Sequence, residues 1–458
     1  MIDAAYDIPG VLLAVAWQPV FTFEPRLDLF PLLAAVLAAA SCAVLGNFLV
    51  LRRISLMGDA ISHSVLPGLV IAFLLSASRS PAVMFAGAAV AGLATVALVE
   101  LVKRLGRVEP GAAMGVVFSI LFALGVLLIE RAAVRHVDLD ADCVLYGQLE
   151  TLVWYAAPDG IAGLFSFETL AAAPREVVTL TVVTAVAFAF VGVLFKELRI
   201  AAFDGALATS LGFSSSLLHA ALMVVVAAAT VASFEAVGSI LVIAMLICPA
   251  ATARVLTDRL RIQILLSIVV AVATAVVGYA AASAVPAAFG LDAVNAAGAM
   301  TVAAGGALVI AIVAGPKHGV IAKARTRGRL ARRVAVDDLL ATLYRAHEAA
   351  PDGQKLPAVA IDLGEARGIR NASVAIRDAM RRGLVARDAR GLSLTPEGFS
   401  HASLVISKHR RWESYLVDRA GLAPDHVHDT AEQLEHVAPV PDASGSIDPH
   451  GRQIPRIN

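Results

Sequence analysis

Nine runs of about twenty apolar residues, almost free of charge, recur between Leu29 and Pro316 and then stop. A chain of this pattern has few folds open to it. Such a run is long enough to cross the hydrocarbon of a bilayer as a helix. There, only a helix or a closed barrel satisfies every backbone donor and acceptor. The runs are 29–51, 60–79, 82–102, 111–131, 176–195, 215–233, 236–253, 262–285 and 294–314. Composition agrees: 58% of residues are apolar and 16% are charged, and mean hydropathy is +0.77. A soluble domain needs more charge to cover its surface.

Charge placement orients the runs. The connectors carrying Arg52-Arg53, Lys103-Arg104-Arg107, Lys196-Arg199, Arg254-Arg259-Arg261 and Lys317 all fall on one side, which the positive-inside bias makes the cytoplasm. The long loop from Arg131 to Arg175, with Asp138, Asp140 and Asp142 beside His136, falls outside; Arg131 and Arg135 oppose the trend. An odd number of spans puts the N-terminus outside and everything after Pro316 inside. Val11 to Trp17 is a short apolar stretch without a basic flank, so it does not read as a cleavable signal peptide. Cys42, Cys143 and Cys248 form no CxxC and support neither a disulfide framework nor a thiolate site. No GxxxxGK[ST] loop is present, so ATP is not held by the usual backbone cradle.

Ionisable groups in the spans are few. Asp59 and His63 are four apart, on one helix face. A carboxylate with an imidazole suits manganese, iron or zinc; an interfacial pair capping the helix beneath Arg52-Arg53 has the same spacing. Glu235 lies between two apolar runs, as a turn residue or as a ligand. His219, alone at a span start, carries no assignment.

After Pro316 the chain turns charged. Helical patterns cover Asp337 to His347, Leu356 to Arg367 and Ala372 to Arg382, followed by a hairpin pattern over Gly383 to Leu394. Thr395-Pro396-Glu397 opens a further helix with a cap residue, a first-turn proline and an acid. Three helices and a hairpin make a winged helix-turn-helix, in which Arg370, Arg377, Arg381 and Arg387 surround the recognition helix and wing as phosphate contacts. Further on, Glu432, Glu435 and His436 share a helix face, and His409 and Glu413 form another i, i+4 pair. An alternative for these acids is a solvated surface.

Two resemblances sharpen this reading. FLVLRRISLMGDAISHSVLPG, followed much later by Phe234-Glu235-Ala236-Val237-Gly238-Ser239 and Cys248-Pro249-Ala250, resembles the zinc/manganese/iron permeases of ATP-binding-cassette importers over 29–316. The resemblance implies a metal path through Asp59 and His63, a permease homodimer or a paired sister permease, a separate ABC ATPase and an extracytoplasmic metal-binding protein. It also implies ATPase docking on the cytoplasmic segment Lys196 to Phe213, with Phe203, Asp204, Gly205 and Gly212.

The tail from Val336 to Pro455 resembles the diphtheria-toxin repressor and manganese-transport repressor type, on Leu394-Thr395-Pro396-Glu397-Gly398, His409-Arg410-Arg411-Trp412-Glu413 and Asp448-Pro449-His450-Gly451. That family's ligands fall on Asp338, His409, Glu432, Glu435 and His436, with an additional site drawing on Glu413 and His428. A carboxylate at 432 leans towards manganese, whereas Ala341 stands where manganese-type members carry an acid.

The expectation is therefore an all-α polytopic membrane helix bundle followed by a cytoplasmic winged helix-turn-helix domain with a helical metal-binding and dimerisation segment. Its parts are 1–28 (N-terminal segment), 29–316 (permease), 317–334 (basic linker), 335–400 (winged helix) and 401–458 (metal-binding and dimerisation). It would sit in a bacterial plasma membrane, pass a divalent metal (manganese favoured, iron or zinc admitted) and sense that ion in its tail. An ion-coupled secondary transporter and a membrane-tethered regulator that binds nucleic acid are the competing classes.

Overall fold

The computed structural model describes residues 23–76, 78, 80–133, 149–152, 173–349, 372–388, 391–441 and 445–455. Outside the described residues lie the N-terminal apolar stretch, the acidic loop with His136, the second tail helix expected at 356–367, and Arg370. The chain divides into two compact units, Met1–Ala322 and Lys323–Asn458.

The first unit is a helix bundle: α1 (Pro25–Leu51), α2 (Met57–Ser76), α3 (Pro81–Gly106), α4 (Pro110–Ala133), α5 (Arg175–Val193), the short α6 (Phe195–Phe203) and α7 (Gly205–Ser210), α8 (Ser215–Leu256), α9 (Leu260–Ala288) and α10 (Ala296–Ala314). Prolines open α1, α3 and α4, where a missing N–H costs nothing and φ is already helical. Among the described residues, eight helices are long and apolar enough to cross a membrane. Phe48, Leu45, Leu49, Leu222, Met223, Leu241, Met245, Leu246 and Met300 are fully buried between them. Leu75, Val90, Ile120, Leu127, Val277, Val302 and Ile310 point outward, an apolar belt suited to lipid and unsuited to water.

The nine runs become eight helices because 215–233 and 236–253 are two limbs of α8. A straight helix of its 42 residues would be about 63 Å long. Yet both of its ends sit at the C-terminal end of α1. At the start, Arg52 Nη1 lies 2.9 Å from His219 Nδ1; just past the end, Gln263 Nε2 donates to Asn47 Oδ1 at 2.9 Å. The chain turns back at Gly238, whose φ of 79° and ψ of 167° belong to a region essentially confined to glycine. The eight helices thus hold nine apolar limbs, the odd number that the charge-based reading used.

Small residues let these limbs approach. A Cβ on Gly46 would collide with the Leu246 carbonyl oxygen, and one on Gly68 with the Gly87 carbonyl oxygen, the close backbone approach expected where helices associate in lipid. One polar side chain between helices is well paired: Asn47 Nδ2 donates to Ser267 Oγ at 2.6 Å and to the Ala43 carbonyl at 2.7 Å.

In the second unit the basic stretch read as a linker is helical from its fourth residue, since α11 runs from Val320 to Ala349. It is followed by α12 (Ala372–Arg381), β1 (Val385–Asp388), β2 (Gly391–Leu394), α13 (Pro396–Asp418), a 3-10 turn (Pro424–His426) and α14 (His428–Val437). The strands pair antiparallel, Val385 opposite Leu394. Val336, Leu339, Leu340 and Leu343 of α11 pack with Ala375, Ile376, Ala379, Val385, Leu392 and Ala402, the helix, helix and hairpin of the expected wing. Thr395 caps α13, its Oγ1 accepting from Gly398 N at 3.0 Å.

Candidate functional site

In the bundle, α2 carries Asp59 and His63 on one face, Oδ1 to Nε2 3.3 Å, with both side chains partly exposed. The His63 ring leans on two aromatic rings of α4, Phe118 at 4.9 Å and Phe122 at 5.7 Å between centroids. This packing fixes the imidazole while its nitrogen faces the carboxylate. Glu235 is half-buried three residues before the Gly238 reversal. It joins no group of three donors among the described residues; neither do Asp59 and His63.

Between α5 and α8 the expected docking segment is an elbow of two short helices. Asp204 forms the corner: its Oδ1 accepts from Ala206 N and Leu207 N, both at 2.9 Å. A Cβ on Gly205 would crowd the Ser215 hydroxyl, and Gly212 ends the elbow at a φ of +88°. Phe203, Leu207 and Leu211 are largely exposed on it. An exposed apolar row on a capped elbow is a surface shaped for a partner.

The donor clusters lie in the second unit. His409 and Glu413 share a face of α13, and α14 begins with His428. His409 Nε2, Glu413 Oε1 and His428 Nδ1 stand 2.9 to 3.0 Å from one another. Two imidazole nitrogens and a carboxylate oxygen facing one another can share protons or hold a cation. Donors about 2.1 Å from one ion stand about 3.0 Å apart at right angles and about 3.4 Å apart at the tetrahedral angle. The triangle fits one divalent ion.

A second cluster joins α11 to α14. His436 Nε2 lies 3.2 Å from Asp338 Oδ1 and 3.3 Å from Glu435 Oε1, again an edge length that one ion spans. Glu435 connects the clusters, because its other oxygen, Oε2, accepts from His409 Nδ1 at 2.6 Å. That bond leaves Nε2 of His409 as the atom turned to the first cluster, the carboxylate–imidazole arrangement that sets tautomer and basicity at metal sites. Asp337 backs His436 likewise, Oδ2 to Nδ1 3.6 Å.

The charges are strongly coupled. Burial alone would lower the His409 pKa, but Glu413 and Glu435 outweigh it and hold it at about 9. Burial likewise opposes the proton on His436, yet Asp337, Asp338 and Glu435 raise it to about 10. Glu413, whose burial favours the neutral acid, is pulled down to about 2 by His409 and His428. Without an ion, protons hold these acids together, and a divalent cation would take their place.

The expected residues divide accordingly. Asp338, His409, Glu413, His428, Glu435 and His436 converge. Glu432 does not: it is exposed on α14 and stands in neither cluster. Ala341 is buried against Val405 and Ile406, so its position is filled by apolar packing. Arg377, Arg381 and Arg387 are exposed around α12 and β1. Sequence reasoning missed Asp337 and the clamp made by Arg410, Glu348 and Asp448, in which the buried Arg410 donates to the Glu348 carboxylate at 2.6 and 3.0 Å. Asp337 was legible only as the neighbour of Asp338; the clamp joins segments 62 residues apart and has no spacing signal.

Known proteins match both units. Residues 29–154 and 164–316 match the family model described as "ABC 3 transport family". Residues 395–441 match "Iron dependent repressor, metal binding and dimerisation domain". The zinc transport system membrane protein TroD of Treponema pallidum is 36% identical over 372 residues, 81% of this chain and 96% of the relative. The manganese transport system membrane protein MntD of Bacillus subtilis is 38% identical over 288 residues, 63% of this chain and 92% of the relative. Among solved structures, PsaBC from Streptococcus pneumoniae in complex with Fab aligns with a TM-score of 0.50 at 27% identity, over 68% of this chain and 97% of that one. The chain belongs to the ABC 3 transport family of membrane permeases and carries behind its bundle a segment of the iron-dependent-repressor metal-binding type.

Proposed function

We propose that the chain is the membrane subunit of an ATP-driven importer of a divalent transition metal, manganese first, and that its cytoplasmic tail senses the same ion. The observation that carries this reading is the pair of carboxylate–imidazole donor clusters in a chain whose bundle is an ABC 3 permease. Relatives named for zinc and manganese transport support the cargo. The described tail holds no cysteine, and an oxygen and imidazole donor set favours manganese over softer thiolate chemistry.

Asp59 and His63, with Glu235 near the α8 reversal, form the transport path. Phe203, Asp204, Gly205 and Gly212 present the elbow to a separate ATPase, and an extracytoplasmic binding protein delivers the ion to a pair of permeases. In the tail, Asp338, Glu435 and His436 would hold one ion and His409, Glu413 and His428 another. A bound ion would supply positive charge that draws α11, α13 and α14 together.

The exposed Arg377, Arg381 and Arg387 on a winged helix favour a second reading, in which the tail also binds a nucleic acid backbone. Metal inhibition of uptake tests the sensor: His409→Ala and removal of 335–458 should each relieve it. Uptake and inhibition both unchanged would remove the tail from regulation, and salt-sensitive binding of an operator by the chain would establish the second reading.

A further inference from the structure

Four cations line one cavity of the bundle with a single acid among them. The cavity, of about 890 Å³, lies where α1, α3 and α8 reach the side that charge placement makes cytoplasmic, and the elbow of α6 and α7 forms its far wall. Arg52 and Arg53 enter from the turn after α1, Lys103 and Arg104 from the last turn of α3. Glu100 is the acid, and it is already engaged: Lys103 Nζ donates to one of its oxygens and Arg104 Nε to the other at 2.8 Å. Arg52 Nη1 donates to His219 Nδ1 at 2.9 Å; since arginine only donates, its partner is a neutral acceptor. The Nε and Nη2 of Arg52 are shut from water and meet no acceptor among the described residues, a costly state for charged donors. An anion in the cavity would relieve it.

The backbone adds to the positive field. α8 begins at the cavity behind its cap Ser214, with Ser215 and Ser216 on the wall, and a helix N-terminus carries partial positive charge. Arg53 stands at a φ of 58° and Arg107, just past α3, at 50°; among the described residues these are the two non-glycines at positive φ. Helices usually end in that conformation with glycine, so this face keeps cations where the backbone would favour none. The place of the cavity decides the class of anion. α1, α3 and α8 are spans, so their cytoplasmic ends stand at the depth of lipid headgroups. Leu101 and Leu105 on α3 and Leu217 on α8, sequence neighbours of the lining residues, are exposed. They offer apolar surface to acyl chains beside the charge, which a soluble anion does not need. Basic pockets between the cytoplasmic ends of spans suit acidic lipid headgroups.

We propose that this cavity seats the phosphate headgroup of an acidic phospholipid of the cytoplasmic leaflet, held by Arg52, Arg53, Lys103 and Arg104. Because Ala201, Ala202 and Phe213 of the elbow form part of the same wall, the lipid also steadies the surface proposed to meet the ATPase. The lipid site itself holds whichever ion the bundle carries, and it is read without transport.

The full-length protein, stripped of lipid in a neutral detergent, is titrated with phosphatidylglycerol and with phosphatidylcholine, bound lipid is counted by native mass spectrometry, and inorganic phosphate serves as competitor. Phosphatidylglycerol should bind at least tenfold more tightly than phosphatidylcholine and stay bound in millimolar phosphate. Each cation beside a lipid phosphate is worth roughly fivefold. Arg52→Gln with Lys103→Gln should therefore weaken phosphatidylglycerol about tenfold or more, and so should Arg53→Gln with Arg104→Gln, a pair at exposed positions that spares the buried guanidinium. Arg325→Gln with Arg329→Gln, the same loss of charge on exposed α11, should stay within twofold. Equal affinity for the two lipids, or both cavity pairs within twofold of the parent, would overturn the site. Release of the lipid by millimolar phosphate would make a free anion the occupant and overturn the lipid. Lipid binding kept by both cavity pairs while the ATPase no longer co-purifies would give the cavity to an acidic segment of that partner instead.

Discussion

Glu435 is the side chain on which the two tail clusters turn. One oxygen faces His436 and the other accepts from His409, so Glu435→Gln disturbs both. Its manganese affinity should fall at least tenfold, whereas Glu432→Gln, at an exposed position, should stay within twofold of wild type; isothermal titration of the two variants checks this. The same charges make the ion-free tail sensitive to pH. His409 and His436, held at about 9 and about 10, bind protons more tightly folded than unfolded. Their contribution is complete below the ordinary histidine value of about 6.5 and drains away as pH rises through 9 to 10. Glu413, at about 2, contributes above the ordinary value of about 4.3 and loses this as pH falls towards 2. Ion-free unfolding followed through Trp412, with Trp17 and Trp154 replaced by Phe, should give a midpoint highest between those ordinary values and falling above neutrality. A midpoint that climbs from pH 7 to 9 would contradict the coupling. How far these residues were legible follows from spacing: the i, i+4 pair on α13 announced His409 and Glu413, and the i, i+3, i+4 set on α14 announced Glu435 and His436 together with Glu432. Glu432 shares that periodicity yet faces water, because only packing decides which edge of a helix face meets its neighbour.

At the scale of elements, hydropathy located every apolar limb, but could not say that two of them form one helix broken at Gly238. The break needs a φ that the residue type permits without demanding. Gly238→Ala should strain the reversal by about 1–3 kcal/mol and lower uptake with the protein still in the membrane. The reversal also fixes sidedness. Single cysteines at Ser214 and Thr257, flanking α8, should react from the same side with a membrane-impermeant thiol reagent, and one at Phe23 from the other; opposite labelling of 214 and 257 would make α8 a single pass. The elbow of α6 and α7 was legible as charged and glycine-punctuated, whereas its exposed row of Phe203, Leu207 and Leu211 emerged only with the fold. Phe203→Asp should uncouple ATPase binding, read by co-purification, without changing permease abundance.

For the molecule as a whole, the bundle and the tail offer the same chemistry, a carboxylate beside an imidazole, once at Asp59 and His63 and again in the two tail clusters. Recurrence of one donor set suits a permease that reads the ion it delivers. In the proposed function the tail responds to the ion that the path delivers, so the path is the claim to test first. Uptake of radioactive manganese by cells holding the permease with its ATPase is the most direct measurement. The expected result is uptake that requires the ATPase and falls at least tenfold in Asp59→Ala and in His63→Ala. Uptake that continues without the ATPase, or that both variants keep in full, would contradict the account.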